Sequence, residues 1–540
     1  MPIICTPCRR RLPPVLAFLA ACAVAGLAGS PAAAAPHAAA EPDSALARAL
    51  ARIAGEPLTL EQALLTAVTG STDAQFARTE LDAARSALRR ERGGFDPELF
   101  GDLARGASDQ PTASLFAGAS VLESEQTTGG AGLRLRTRWG TELTASLDAV
   151  RLETNNAYAS LRPQYDAAGR LELRQPLLKG FGAAAGGNLT AAERSYEAAL
   201  AAHDDAVLGV RAVIETAYWQ LHGALRDLAV QQLLRDQAAS LLSETRVRAD
   251  AGLIGPGQVA SARVFLAEQE QAVLDRRESL DQVSDSFAAL IGRRPQGGAN
   301  RYLTADAPPL AHAVPDEEAA VSAALSSNLG LRSAERSVAA LQALADAAAG
   351  NARPRLDLLG SLGGVGLAGS GRQIVSPFGA DPETIRTADI GGLGESLDQA
   401  VRRTYPNWSV GVSFSLPLGG RAGGGERDRI RAVAAGAELQ LEAARRDLER
   451  RVRADCRELA ANRDRLVLAD EGVAASREQV RIGLVEFRNG RTTAFELVRL
   501  AADLAAAQQR HSQTLVRAAR AAADLRRLTA DGSITKESGQ

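Results

Sequence analysis

Aromatic residues are scarce in this chain, 4% of 540 residues, and methionine occurs once. A core without large rings has to be built from Ala, Leu and Val, which suits close-packed helices. Cysteine is equally thin. Of Cys5, Cys8, Cys22 and Cys456, three fall at the extreme amino terminus, so no disulfide framework is available. Five histidines without a dense Cys/His cluster argue against a zinc site. An excess of one charge is also missing. The formal net charge is −2, which excludes a strongly basic nucleic-acid binder. Nothing past the amino terminus approaches the roughly 18 uncharged apolar residues of a membrane helix. No acid, base and nucleophile converge on one motif, so neither an enzyme nor a cofactor is expected.

What is present begins with a leader. Arg9, Arg10 and Arg11 precede an apolar stretch from Leu12 to Ala21, and a small-residue tract follows at Ala32 to Ala35. These are the three parts of an export signal. Two cleavage outcomes stay open. Leu19-Ala20-Ala21-Cys22 has the form of a lipobox, making 1–21 the leader and Cys22 a lipidated terminus. Cutting after Ala34 instead makes 1–34 the leader and discards Cys22.

The chain then repeats itself. Leu60-Glu61-Gln62-Ala63-Leu64 opens a helix with a counterpart at Glu318-Ala319-Ala320-Val321. Each is expected to run about 35 residues, to Pro97 and Pro354. The offset is 257 residues both from Ala63 to Ala320 and from Pro97 to Pro354. Period-two alternation follows each proline: Leu133, Leu135, Leu143, Ala145, Leu147, Leu171 and Leu173 in the first half, Trp408, Val410, Val412 and Phe414 in the second. One apolar and one polar face signal β-structure, read as two strands per half and four in the chain.

Long helices come next. Val207, Ile214, Leu221 and Leu228 are seven apart, as are Val452, Leu459, Leu466, Val473 and Val480. A seven-residue period is a coiled-coil seam. Some 65 residues at 1.5 Å each make a rod of roughly 100 Å. Each rod turns at a glycine-bearing loop, around Gly252, Leu253 and Gly255 or around Asn489, Gly490, Arg491 and Thr492, and a shorter helix returns. The expected units are a 35–57 linker, a first repeat at 58–300 (β region about 98–178, helical hairpin about 183–292) and a 301–315 linker. A second repeat covers 316–530 (β region about 355–418, hairpin about 424–528), before a 531–540 tail.

Strands of this alternation suit an outer-membrane barrel, with one face toward lipid. Four strands cannot close one, and open edges do not survive in lipid, so several chains must share the barrel. At this point the sequence resembles the TolC-type outer-membrane efflux proteins, from about Leu58 to Leu528. The residues that carry the resemblance are Leu58-Thr59-Leu60-Glu61-Gln62-Ala63-Leu64, Gln175-Pro176-Leu177-Leu178-Lys179-Gly180-Phe181-Gly182, and Phe487-Arg488-Asn489-Gly490-Arg491-Thr492-Thr493-Ala494-Phe495-Glu496-Leu497.

The resemblance implies a mainly α fold with membrane β. A homotrimer would share a 12-stranded outer-membrane barrel above an α-helical periplasmic tunnel. It implies a passive exit duct of a tripartite efflux or type I secretion system. The partners would be a periplasmic adaptor (membrane fusion) protein, an inner-membrane pump of RND or ABC type, and outer-membrane lipid. It also implies a periplasmic gate on the helix after the second turn. Glu496 holds the first acidic position there, while Arg499 stands where an acid is usual. Three copies of this pair could hold the mouth closed between subunits, or both could lie on an ordinary solvated face. Gly252, Leu253, Gly255, Asn489, Gly490, Arg491 and Thr492 become adaptor-contact candidates. Gly255 and Gln258 replace a hydroxyl and an acid frequent in the family. The competing architecture is a periplasmic coiled-coil scaffold or adaptor subunit without a pore.

Overall fold

The computed structural model describes residues 44–113, 118–375 and 384–530. The leader, Cys22 and the 531–540 tail lie outside them. In chain order come α1 (Ser44–Ala51), β1 (Glu56–Leu58), α2 (Leu60–Gly70) and α3 (Thr72–Gly93). Four strands follow, β2 (Glu98–Pro111), β3 (Val121–Arg136), β4 (Glu142–Thr154) and β5 (Leu161–Pro176). Next are α4 (Ala183–Asp250), α5 (Pro256–Ile291), β6 (Tyr302–Thr304), α6 (Glu317–Ser327) and α7 (Leu329–Asn351). The second half continues with β7 (Arg355–Gly371), β8 (Gln373–Val375), β9 (Thr384–Arg386), α8 (Leu393–Arg402), β10 (Tyr405–Ser415), α9 (Arg421–Arg488) and α10 (Ala494–Thr529).

The two-fold repeat is reproduced closely in the helices. The outgoing rods α4 and α9 have 68 residues each, and the returning α5 and α10 have 36 each. At 1.5 Å per residue each outgoing rod is about 100 Å long. The expected seams are buried where they matter: Ile214, Leu221 and Leu228 on α4, and Val452 and Leu459 on α9, have at most 3% of their surface exposed. Cys456 lies inside the same seam as a free, buried thiol. α10 lies against both α9 and α4, so the two hairpins pack on each other rather than standing apart.

Three expectations are corrected. The single 35-residue opening helix is split in both halves, at Ser71 and at Asn328. Both residues leave helical geometry for an extended conformation. The Asn328 side chain accepts from Leu331 N–H and caps the new helix, so the break is stabilised locally. The two segments taken as linkers are also structured. β1 and β6 pair in parallel, with Glu56 opposite Tyr302 and Leu58 opposite Thr304.

The third correction is the strand count. One six-stranded sheet runs in the order β10-β7-β5-β4-β3-β2, with four strands from the first half and two from the second. The segments around Leu133, Leu143 and Leu171 are three separate strands, and β2 precedes them. Its alternation is diluted by Gly101, Gly106 and several charges, so hydrophobic periodicity is weak there.

The main core sits midway along the rods in the first half. Tyr218, Trp219, Phe287 and Tyr302 cluster there with ring centroids 5.0–6.1 Å apart. Tyr218 donates to Leu58 O at 2.9 Å and lies 3.1 Å from Asp306 Oδ2. Burial pushes the Tyr218 hydroxyl up to about 12, so it stays a donor. The corresponding core of the second half is aliphatic, built on Val321, Ala324, Leu448, Val452 and Leu459.

Candidate channel wall and periplasmic tip

Near the rods the sheet has two chemically distinct faces, set by strand register; further out Arg105, Glu125 and Arg151 stand on the same side as the apolar row. Trp408, Leu362, Leu171, Ala145, Leu133 and Leu99 stand opposite one another strand by strand, an apolar row across all six. One residue along, the opposite face carries Ser409, Ser361, Glu172, Thr144, Arg134 and Glu98. Alternation of this kind is what a wall between lipid and water requires. α8 crosses the apolar face at the end away from the rods. Its buried Ser396 and Ala400 press on Gly366, Gly364 and Gly169. The small residues of β7 are therefore the seat of a helix. Among the described residues, no helix is long and apolar enough to cross a membrane.

The polar face is internally paired. Arg134 reaches Glu98 at 3.2 Å and lies 5.1 Å over the Phe100 ring. Where the sheet meets the rods, Asp357 is buried between Arg174 at 2.9 Å and Arg355 at 2.7 Å. Arg174 belongs to the first half and Asp357 to the second, so this cluster locks the halves together at the root of the wall. Sequence reasoning passed over it. The available signal was a lone carboxylate at Asp357 amid the apolar residues of β7.

At the other end of the rods lie the two glycine turns expected at the tip. Gly252 and Gly490 take φ of +73° and +69° at matched places. That left-handed conformation disfavours side chains, which explains glycine at both turns. Leu253 beside Gly252 is exposed. In the second turn Thr493 caps α10 by accepting from Glu496 N–H at 3.3 Å. Arg499 lies 4.0 Å from Glu496, one turn along the same helix. Within one chain the two candidate gate residues therefore contact each other, with Arg499 exposed and Glu496 half-buried.

A firmer contact at the tip was missed. Arg248 in the last turn of α4 donates to Phe487 O at 2.8 Å and stacks 4.5 Å over the Phe487 ring. Phe487 itself is buried against Leu241 and Leu497. The end of one hairpin is thus latched to the end of the other. Arg near a helix carboxyl terminus was the legible cue.

Along the rods, charge clusters tie helices laterally. Arg453 on α9 reaches Glu317 at 2.8 Å and Glu318 at 2.9 Å on α6, and Glu449 on its own helix. These partners hold the Arg453 guanidinium above its usual range. Among the described residues Asp455 nearby forms no ion pair, although Arg451 and Arg520 lie close enough to favour its charge. Burial, reinforced by Asp524 on α10, pushes its carboxyl up to about 6. His511 on α10 contacts Asp470 of α9 at 2.9 Å, and burial lowers its basicity. Among the described residues no His/Cys/Asp/Glu group could hold a metal ion.

A two-faced sheet set on paired coiled-coil hairpins is the fold of outer-membrane efflux channels. Residues 320–531, which span most of the second repeat, match the family model described as outer membrane efflux protein. The fold extends over nearly the whole chain. The outer-membrane channel OprN is similar at 20% identity with a TM-score of 0.62, over 88% of this chain and 90% of that one. The CmeC outer membrane channel of Campylobacter jejuni is similar at 13% identity with a TM-score of 0.60, over 88% and 86%. The open MtrE outer membrane channel of Neisseria gonorrhoeae is similar at 16% identity with a TM-score of 0.58, over 87% and 88%. No curated protein matches the chain in sequence.

Proposed function

We propose that this chain is the outer-membrane exit duct of a tripartite efflux or type I secretion system, acting as a homotrimer. The observation that carries the reading is the sheet. It has one apolar face for lipid and one polar face for a lumen, set end-on to 68-residue helices long enough to cross much of the periplasm. The chain does no covalent chemistry in this role. Its work is to hold a polar path open through a bilayer, and to keep that path shut at the periplasmic end until a pump complex docks. An adaptor protein would grip the two glycine turns, at Gly252 to Gly255 and Asn489 to Thr492, and an RND or ABC pump would supply the driving force.

Opening on this reading is a relaxation of the hairpin tips. The Arg248–Phe487 latch restrains the tip within each chain. The Glu496–Arg499 pair is poised to exchange its partner for one in the neighbouring subunit. Exposed pairs of this kind contribute roughly 1 kcal/mol or less, which suits a gate that docking must release.

The reading is tested by outer-membrane fractionation, gel mobility with and without heating, and conductance in planar bilayers. A heat-modifiable trimer that forms discrete channels is expected; a soluble periplasmic monomer would overturn the duct. For the gate, a Glu496→Ala/Arg499→Ala variant should conduct more readily. Unchanged conductance and ion selectivity would remove these two residues from the mechanism.

A further inference from the structure

We propose that the tunnel carries an anion-binding belt midway along the rods, and that the cargo it favours is small organic anions bearing carboxylate or phosphate groups. The belt is built from Arg510, Arg517 and Arg520 of α10, Arg465 of α9 and Arg276 of α5. This rests on the duct described above and adds a class of solute to it.

The rods have a covered side and a bare side. α1, α2, α6 and the β1–β6 pair pack on the covered side, against Tyr218 of α4 and Val452 and Leu459 of α9. A duct filled by these elements would have no path, so the covered side faces outward and the bare side faces the lumen. Asp227 lies nine residues from Tyr218. Arg517 lies nine from Arg526, which pairs with Glu215 near His312 of the covering segment. Nine residues are about two and a half helical turns, so Asp227 and Arg517 point to the lumen. α10 is flanked by α4 and α9 of its own chain. Its exposed row, Arg510, Gln513, Arg517 and Arg520, is therefore left to the lumen and not to a second copy. Spacings of three and four keep that row on one face.

Two adjoining hollows open along this row. One of about 340 Å³ lies between α4, α5 and α10, the other of about 480 Å³ between α9 and α10, and Gln513 and Arg517 line both. Five arginines line them against one carboxylate, Asp227. Pairing sets these arginines apart from those on the covered side, where Arg453 reaches Glu317 at 2.8 Å and Arg526 reaches Glu215 at 2.6 Å. In the belt Arg465 meets Glu458 at 3.1 Å, Arg520 meets Asp524 at 3.7 Å, and Asp227 partly offsets Arg276. Arg510 and Arg517 form no ion pair among the described residues.

Open guanidinium groups grip carboxylates and phosphates through paired N–H donors. From Arg510 to Arg520 the belt spans about 15 Å of tunnel, and three copies surround the same water. Protein walls of low dielectric focus a field of one sign.

Planar-bilayer recordings of the purified trimer test the belt, with inorganic pyrophosphate as the anionic probe. In a potassium chloride gradient at low ionic strength, the reversal potential should lie toward the chloride equilibrium value. It should shrink as added salt screens the belt. Arg510→Gln/Arg517→Gln should raise the pyrophosphate concentration that halves the current by about tenfold. Arg52→Gln/Arg526→Gln removes the same charge from the covered side and should match the wild type. A wild-type preference for potassium, or equal block in the Arg510→Gln/Arg517→Gln trimer, would overturn the belt while leaving the duct. So would an equal loss of block in the covered-side variant. Should the belt variant fail to assemble, the wild-type reversal potential decides. Absence of any channel would overturn the duct itself.

Discussion

The two halves of this chain share rods of equal length but differ at both ends of the inserted β region. In the first half Pro97 and the start of α4 enclose four strands. In the second, Pro354 and α9 enclose two long strands, the small β8–β9 pairing and α8. Their cores differ as well. Tyr218, Trp219, Phe287 and Tyr302 fill the first, while the second is aliphatic. A repeated unit thus keeps the length of the rods and varies the number of strands and the anchoring of the middle. The helical seam tolerates little change because each position is fixed by the 3.5-residue period. A hairpin can be added to a sheet edge without disturbing the strands already paired.

Core substitutions should separate the halves most strongly. Tyr218→Ala removes a fully buried ring and leaves Leu58 O and Asp306 short of a partner. It should cost about 3–5 kcal/mol, read as a lower unfolding temperature of the purified trimer. Leu459→Ala in the aliphatic core should cost about 2–4 kcal/mol. Equal losses would show that the aromatic cluster is no more than filling.

The junction between halves comes next. Asp357→Ala strips both Arg174 and Arg355 of their shared carboxylate. Because those arginines are partly solvated, about 1–3 kcal/mol is expected, seen as less heat-resistant trimer. Asp357→Ala with unchanged trimer yield would mean that strand pairing alone holds the halves together.

A smaller effect belongs to the rods and depends on pH. The Asp455 carboxyl is held at about 6, above the ordinary aspartate value. Its charged form therefore weakens the fold, fully so above about pH 6, and the penalty disappears as pH falls toward the unfolded value. Asp455→Asn should raise stability by about 1–2 kcal/mol near neutral pH, with the gain shrinking as pH falls below about 6. A gain independent of pH would rule out the carboxyl as its source.

The smallest change in stability is expected at the tip. Arg248→Ala loses the hydrogen bond to Phe487, the cation–ring contact and the ion pair with Glu244, about 1 kcal/mol together. The functional effect should be out of proportion, as channels that open more often without an adaptor. Wild-type opening in bilayers would place the restraint elsewhere.

Much of this was legible before any fold was known. The seam at Ile214, Leu221 and Leu228, the matched glycine turns and the lengths of the rods all follow from local periodicity and backbone preference. The breaks at Ser71 and Asn328 were hidden, because one extended residue inside an amphipathic run leaves the apolar pattern on either side intact. β2 was hidden for the opposite reason. Gly101, Gly106, Asp102 and Asp109 blur its alternation, and only pairing with β3 identifies it. At the tip, Arg248 and Phe487 are 239 residues apart in sequence, beyond the reach of any local pattern.

The sequence by itself determined a duplicated helical rod poor in aromatics, with glycines where each rod must turn, since helix period and positive φ are properties of short stretches of chain. The number of strands, the union of the halves at Asp357 and the latch at the tip were decided only in three dimensions. Hydrogen bonds between strands and contacts between distant helix ends depend on which segments lie side by side.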